Sequence, residues 1–177
     1  MNSKDRIEKI DSFYFSILSV NRTTVNLDFI IKLLRSTFPQ LLLQGINCEI
    51  VYGKSHLKEI LKIVFELHRR KIGLALKIEI EILMRLTLSD QVTKAIKIGG
   101  LKNNCPMCFL LVSDDRFYLL KSIQYIENIF GKHHDRLIMP SKKKFRLICN
   151  LHNLKLANYN LKEFERLLIE KSALVGL

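Results

Sequence analysis

Residues 102–115 read KNNCPMCFLLVSDD, an apolar run that begins behind two cysteines and ends at two aspartates. The segment 108–113 has the length and the residue types of a buried strand. Pro106 stands at its entrance, where the missing N–H of proline is tolerated. Either aspartate can then cap a helix with the sequence RFYLLKSIQYIENIF, which Gly131 ends. This stretch therefore predicts a strand that leads directly into a long helix.

The two cysteines of this stretch, Cys105 and Cys108, also have the Cys-x-x-Cys spacing of zinc and redox sites. A structural zinc site needs four ligands, commonly in two close pairs, whereas Cys48 and Cys149 stand alone on apolar segments, as small core residues do. A thioredoxin-like site places its cysteines at the N-terminus of a helix, which lowers the thiol pKa, but this pair precedes a strand. We interpret the pair as a loop and the first residues of a strand, and expect neither a metal nor a cofactor.

The remaining predicted elements mix strands and helices. Strands are predicted at 12–20 and 46–52, and helices at 27–38 (cap Asn26), 56–71 (cap Ser55), 91–98 (cap Ser89 or Asp90), 142–151 (cap Ser141) and 161–175 (capping box Asn160 and Glu163). Residues 76–86, LKIEIEILMRL, fit both the alternation of a strand and the spacing of a helix, so both interpretations stay open. Together the elements predict an α/β, more strictly mixed α+β, fold with a small central sheet of three or more strands surrounded by about six to eight helices. The length predicts a single domain over residues 1–177.

The chain is strongly basic. It has 29 Lys and Arg residues against 17 Asp and Glu residues, a net charge of +12. A surplus of this size attracts polyanions, of which RNA and DNA are the commonest. The basic residues cluster at 68–71 and 142–146, which favours a binding surface over the alternative of a lysine-rich compositional bias.

Several common signatures are missing from the sequence. Neither GxxxxGK[ST] nor GxGxxG occurs, and no Ser or Cys has the context of a nucleophile elbow. The N-terminal segment MNSKDRIEKIDSF is charged, and no apolar run approaches the roughly 18 residues of a membrane span. We therefore expect a cytoplasmic protein with reduced cysteines and no membrane partner.

One alternative function rests on residues 80–97. The segment could form two short helices about a turn, as in a helix-turn-helix, and its second helix would expose Gln91, Thr93, Lys94 and Lys97. On a basic protein this pattern is compatible with a helix-turn-helix DNA-binding regulator.

Several loose motifs recur in a fixed order between Val51 and Asp114. They are Lys54-x-His56-Leu57, then Ala75 followed by Glu81-Ile82-Leu83, then Gln91-Val92-x-x-Ala95-Ile96, then a glycine and an apolar strand. In this order they resemble the small kinase-binding subunit of the KEOPS complex (the TPRKB-like family, archaeal type), and the terminal LLIEKSALVGL is similar to the last helix of its archaeal members. The chain departs from the family at Asp90, where members often carry Arg, and at Leu76, where a small or polar residue is common.

The resemblance implies a noncatalytic subunit of the complex that installs threonylcarbamoyl on an adenosine of tRNA. Its implied partners are the kinase-like ATPase subunit, the single-stranded 3′ CCA end of tRNA and, indirectly, the rest of KEOPS. It also implies a compact α/β fold in which 76–86 is helical. The candidate RNA-binding residues are Lys54, His56, Arg85, Gln91, Lys94, Lys97, Lys142, Lys143 and Lys144. The candidate kinase-binding residues, on a second stripe of the last helix, are Leu167, Glu170, Ala173 and Leu174.

Overall fold

The computed structural model describes residues 6–21, 26–131, 133–154 and 160–176. In chain order, its elements are β1 (Glu8–Ile10), β2 (Phe13–Val20), α1 (Leu27–Thr37), β3 (Leu42–Asn47), α2 (Lys54–Arg69), α3 (Ile78–Leu86), α4 (Val92–Gly99), β4 (Met107–Ser113), α5 (Arg116–Phe130), α6 (Lys142–Leu151) and α7 (Leu161–Ala173). Short 3₁₀ turns cover Cys48–Ile50 and Asp135–Leu137. Over the described ranges the chain is thus a mixed α+β protein with seven α-helices and a four-stranded antiparallel sheet, as the sequence predicts.

The chain packs as two compact units, each built from two separate stretches of sequence. The first consists of the described residues of Met1–Cys48 and Leu101–Leu137, and the second of those of Glu49–Gly100 and Ile138–Leu177. The sheet, α1 and α5 belong to the first unit, and the other five described helices belong to the second. That residues 1–177 form a single domain stays a prediction.

The quoted stretch supplies β4, which lies inside the sheet. The strand order is β1-β2-β4-β3, and Cys108 pairs with Ser19 on one side and with Ile46 on the other. Every residue of β4 is buried, which confirms the predicted strand. Cys105 lies in the turn before it, so the interpretation of the pair as a loop and a strand entrance is confirmed. Within the described ranges no three His, Cys, Asp or Glu side chains come together as ligands for a metal ion.

One apolar core fills the first unit. Helices α1 and α5 pack on one face of the sheet, and the buried residues of this core include Leu18, Val20, Ile30, Leu34, Leu43, Phe109, Leu111, Leu119, Ile123 and Ile126. Both helices begin at predicted caps. Asn26 accepts a hydrogen bond from the N–H of Phe29 at 3.1 Å, and Asp115 accepts one from the N–H of Phe117 at 2.7 Å.

The predicted strand 46–52 is wrong in position. The strand runs over Leu42–Asn47, and a 3₁₀ turn follows at Cys48–Ile50. Pairing with β4 sets these limits, because Asn47 lies opposite Met107, where β4 begins. Gly45 fits this strand because a Cβ there would lie 2.6 Å from a methyl carbon of Leu101. The three-residue strand β1 was not predicted.

Two predicted helix caps are also wrong. Helix α2 begins behind Gly53, whose φ of 105° favours glycine, and Ser55 lies inside the helix, where it bonds Glu165. Helix α4 begins behind Gln91 without a side-chain cap, so neither Ser89 nor Asp90 has that role.

The second unit is helical, and two of its helices begin at predicted caps. Ser141 caps α6, and Asn160 with Glu163 forms the capping box of α7. An aromatic cluster joins these helices, since the ring of Phe164 meets those of Tyr52 and Phe145 at centroid distances of 5.0 and 4.5 Å. None of the helices in the described part of the chain combines the length and the apolar character that a membrane span requires.

Candidate RNA and partner interfaces

Every candidate RNA-binding residue lies in the helical unit, but their exposure differs greatly. Exposure matters because a phosphate or a base can be reached only by a side chain that solvent reaches. The exposed candidates are Gln91, Lys94, Lys97, Lys142 and Lys143; the half-buried ones are Lys54 and Lys144; and the buried ones are His56 and Arg85.

Helix α4 presents the clearest basic surface. Its inner face has small residues: Ala95 is fully buried, and a Cβ on Gly99 would lie 2.8 Å from the methyl carbon of Thr87. Its outer face exposes Lys94 and Lys97 together with apolar residues, Val92 at 41% and Ile96 at 46% exposure. Cations for phosphates therefore stand beside apolar side chains that could contact unpaired bases.

Helix α6 begins with three lysines, 142–144, at the end where the helix dipole disfavours cations. Ser141 accepts a hydrogen bond from the N–H of Lys144 at 3.2 Å. The ammonium of Lys144 donates to the carbonyl oxygen of Val51 at 2.6 Å, so this lysine has a structural partner. Lys142 and Lys143 are exposed, so these two lysines remain candidates for phosphate contacts.

A further basic group, His152, was missed by the sequence reasoning. Burial is the main cause that lowers its pKa, and the charges of Lys94 and Lys171 lower it further. Lys94 of α4 and Lys171 of α7 therefore each lie within electrostatic reach of His152, at the end of α6. No sequence signal indicates this group, because its members are far apart along the chain.

His56 is not available to RNA in this structure, which corrects its assignment as an RNA-binding residue. Its side chain is 1% exposed, and its Nδ1 accepts a hydrogen bond from the N–H of Tyr52 at 3.4 Å. Burial, with a further contribution from the charge of Lys144, lowers the pKa of His56 to about 3. The imidazole is therefore a neutral core residue at pH 7.

Arg85 is the second correction, because it is 2% exposed and fully engaged inside the unit. Its Nε donates to Glu81 at 2.8 Å. Its Nη1 donates to the carbonyl oxygens of Ser172 at 3.0 Å, Ala173 at 3.3 Å and Val175 at 2.8 Å. Arg85 therefore binds the C-terminal end of α7, where the carbonyls of a helix lack intrahelical partners.

Glu81, the partner of Arg85, holds a second segment. It is fully buried, and its other carboxylate oxygen accepts a hydrogen bond from the N–H of Ala75 at 2.7 Å. The i,i+4 spacing of Glu81 and Arg85 requires a helix, which excludes a strand for 78–86. One buried ion pair thus fixes both the loop before α3 and the end of α7.

The candidate kinase-binding residues lie on α7 with different exposures. Glu170, Ala173 and Leu174 are exposed, Leu174 at 61%, whereas Leu167 is half-buried and packs against the aromatic cluster. The buried face of α7 consists of Phe164, Leu168 and Ser172. The end of α7 is therefore the accessible part of the predicted stripe.

The loop before α3 adds an apolar surface that was not predicted. Ile72, Leu74 and Leu76 are 58%, 41% and 103% exposed. A Cβ on Gly176 would lie 2.7 Å from both methyl carbons of Leu74, so the loop touches the turn that follows α7. Exposed leucines on two adjoining segments form a surface that a partner could cover.

In the sheet-containing unit, Ser19, His133 and Asp135 superficially resemble a catalytic triad. The imidazole Nδ1 of His133 accepts a hydrogen bond from the backbone N–H of Ser19 at 2.7 Å, and its Nε2 lies 2.6 Å from Asp135. The Ser19 hydroxyl is buried and donates to the carbonyl oxygen of His134 at 2.7 Å. This arrangement fastens the segment after α5 to β2 and does not activate the hydroxyl as a nucleophile.

The chain matches no protein-family model, and a search of curated proteins finds no match. Fold and surfaces together define a mixed α+β protein whose helical unit exposes a basic face on α4 and an apolar surface at the end of α7.

Proposed function

We propose that this chain is a noncatalytic subunit of a KEOPS-type tRNA-modification complex. In this role it binds the kinase-like ATPase subunit and holds the single-stranded 3′ CCA end of tRNA. The observation that carries the proposal is the outer face of α4, where Lys94 and Lys97 stand beside exposed Val92 and Ile96. Such a complex would act in the cytoplasm.

The RNA part of the proposal is supported by charge and by exposure. The net charge is +12, and the accessible candidates on α4 and α6 include four lysines, at positions 94, 97, 142 and 143. An unpaired RNA end needs cations along its backbone and apolar or aromatic surfaces for its bases. The outer face of α4 offers both kinds of group within one helix.

The kinase part is supported by the exposed apolar end of α7. Leu174 is 61% exposed although it follows a helix whose other face is well packed. Protein interfaces commonly centre on apolar groups of this kind. Leu167 is half-buried and packs against the aromatic cluster, so we assign the docking role to Glu170, Ala173 and Leu174.

A DNA-binding regulator remains the second candidate. Helices α3 and α4 follow each other across a short turn, and Gln91, Thr93, Lys94 and Lys97 are exposed as a recognition helix would need. The two functions use the same face of α4 and differ in the nucleic acid that they prefer.

A charge-reversal experiment tests the RNA proposal. In the K94E/K97E variant we expect the affinity for tRNA to fall at least about tenfold, because two phosphate contacts are lost and replaced by repulsion. The log–log salt dependence should become flatter by about 1.4, or about 0.7 for each contact to a single strand. Fluorescence anisotropy with labelled tRNA measures both quantities.

The matched control carries the same change in net charge elsewhere. K121E/K102E reverses two exposed lysines of the sheet-containing unit, and we expect it to bind tRNA within about threefold of the wild type. Equal losses in the two variants would contradict a site on α4. A wild-type protein that prefers duplex DNA to tRNA would favour the regulator instead.

A further inference from the structure

We propose that residues 72–76 and the turn after α7 form one composite docking surface for a protein partner with an apolar patch bordered by carboxylates. We further propose that Glu81 and Arg85 are positioning residues that hold its two halves together. The inference rests on the proposed function, in which that partner is the kinase-like ATPase subunit. It adds a second segment and a positioning device to the docking role of α7.

The apolar character of the surface comes from both segments. Leu76 is fully exposed, Ile72 and Leu174 are each more than half exposed, and Leu74 is 41% exposed. Leu74 contacts the position of Gly176, two residues beyond Leu174, so the segments adjoin. The exposed parts of these side chains would be buried by a partner with a complementary apolar patch.

The buried ion pair explains why the two segments keep one arrangement. Glu81 accepts a hydrogen bond from the N–H of Ala75 in the loop. Arg85 donates hydrogen bonds to the carbonyl oxygens of Ala173 and Val175, which lie on either side of Leu174. The Arg85 and Glu81 side chains are only 3% and 0% exposed, so solvent hardly screens their attraction. A surface held in its binding conformation loses less conformational entropy when the partner binds.

Charge identifies the class of partner. Lys71 and Lys77 flank the loop, both are exposed, and neither forms an ion pair within the described ranges. Carboxylates on the partner would complement these ammonium groups and speed association. A second copy of the chain would bring lysines against lysines, which repel one another.

The experiment compares four purified full-length proteins for binding to the kinase-like ATPase subunit by biolayer interferometry. We expect Leu76→Asp and Leu174→Glu each to weaken binding at least about thirtyfold, as truncation of interface anchors does. The control, Leu161→Glu, alters a leucine that is 39% exposed at the opposite end of α7, roughly 20 Å away. The affinity of this control variant for the ATPase subunit should lie within about twofold of that of the wild type, which is the fourth protein.

A second set of variants tests the positioning role. Arg85→Lys keeps the charge but loses the planar fork that reaches several carbonyls at once. It should weaken ATPase binding about tenfold, while tRNA affinity, which depends on α4, stays unchanged. The double change E81Q/R85M removes both charges, so that none is left buried and unpaired, and it should weaken ATPase binding to a similar extent.

Each outcome decides a different claim. If the wild type does not bind the ATPase, the kinase part of the proposed function fails, and this inference fails with it. If Leu174→Glu loses binding while Leu76→Asp keeps it, the proposed function stands and the composite surface is overturned. Self-association of the wild type that Leu76→Asp abolishes would also overturn the inference, because a second copy would then occupy the surface. Unchanged ATPase affinity in both Arg85→Lys and E81Q/R85M would overturn the positioning role.

Discussion

At the scale of single residues, burial decides what His56 and Arg85 can do. The sequence analysis predicts both as RNA-binding residues, but both side chains are buried inside the helical unit. The sequence lists which residue types a helix contains, but tertiary packing decides which of them face solvent. Exposed Lys94 and Lys97 were predictable because Ala95 marks the inner face of a short amphipathic helix.

The buried imidazole of His56 predicts how stability depends on pH. The pKa of His56 is about 3 in the folded protein, against an ordinary value of 6.5. Below pH 6.5 the unfolded chain therefore binds a proton that the folded chain excludes. The stabilisation is complete above pH 6.5 and is lost progressively as the pH falls towards 3. The slope of this one group approaches about 1.4 kcal/mol per pH unit.

Urea denaturation of the wild type and of His56→Asn at pH 7 and pH 5 measures this effect. Asn keeps an acceptor for the N–H of Tyr52 but does not titrate, so the variant should lose distinctly less stability between the two pH values. His152, whose pKa is also lowered, contributes in the same direction and stays in both proteins. Equal losses in both proteins would show that His56 does not titrate in this way.

At the scale of elements, helix starts that depend on neighbouring residues were predictable, whereas strand limits that depend on pairing with another strand were not. The caps Asn26, Asp115, Ser141 and Asn160 were predictable because each satisfies N–H groups within its own first turn. The limits of β3 were not predictable, because they depend on where β4 begins. The secondary structure of residues 78–86 was ambiguous until the partner of Glu81 was known, because apolar and charged residues alternate there as in a strand.

The start of α2 gives a prediction at this scale. At Gly53 the backbone has φ 105° and ψ 165°, a region that only glycine adopts readily. Gly53→Ala should therefore destabilise the protein by about 1–3 kcal/mol in urea unfolding. Ser55→Ala serves as the control and should cost less than about 0.5 kcal/mol, because Ser55 does not cap the helix and its bond to Glu165 is exposed to solvent. A larger loss in Ser55→Ala than in Gly53→Ala would contradict this account of the start of α2.

At the scale of the whole molecule, the mixed fold class was predictable and its division into units was not. Strand and helix patterns alone indicate a small sheet with many helices. Each unit, however, combines an early and a late stretch of the chain, and no composition change or linker marks where they meet. The grouping of Lys94, His152 and Lys171 depends on the same long-range packing.

The central claim is that this chain holds the unpaired 3′ end of tRNA, and one measurement tests it most directly. Wild-type protein is titrated against the same tRNA with its CCA end intact and enzymatically trimmed, at one fixed salt concentration. Trimming removes three bases and their phosphates, which the lysines and the apolar side chains of α4 would contact, so it should weaken binding at least about tenfold. Equal affinity for the intact and the trimmed tRNA would contradict the account.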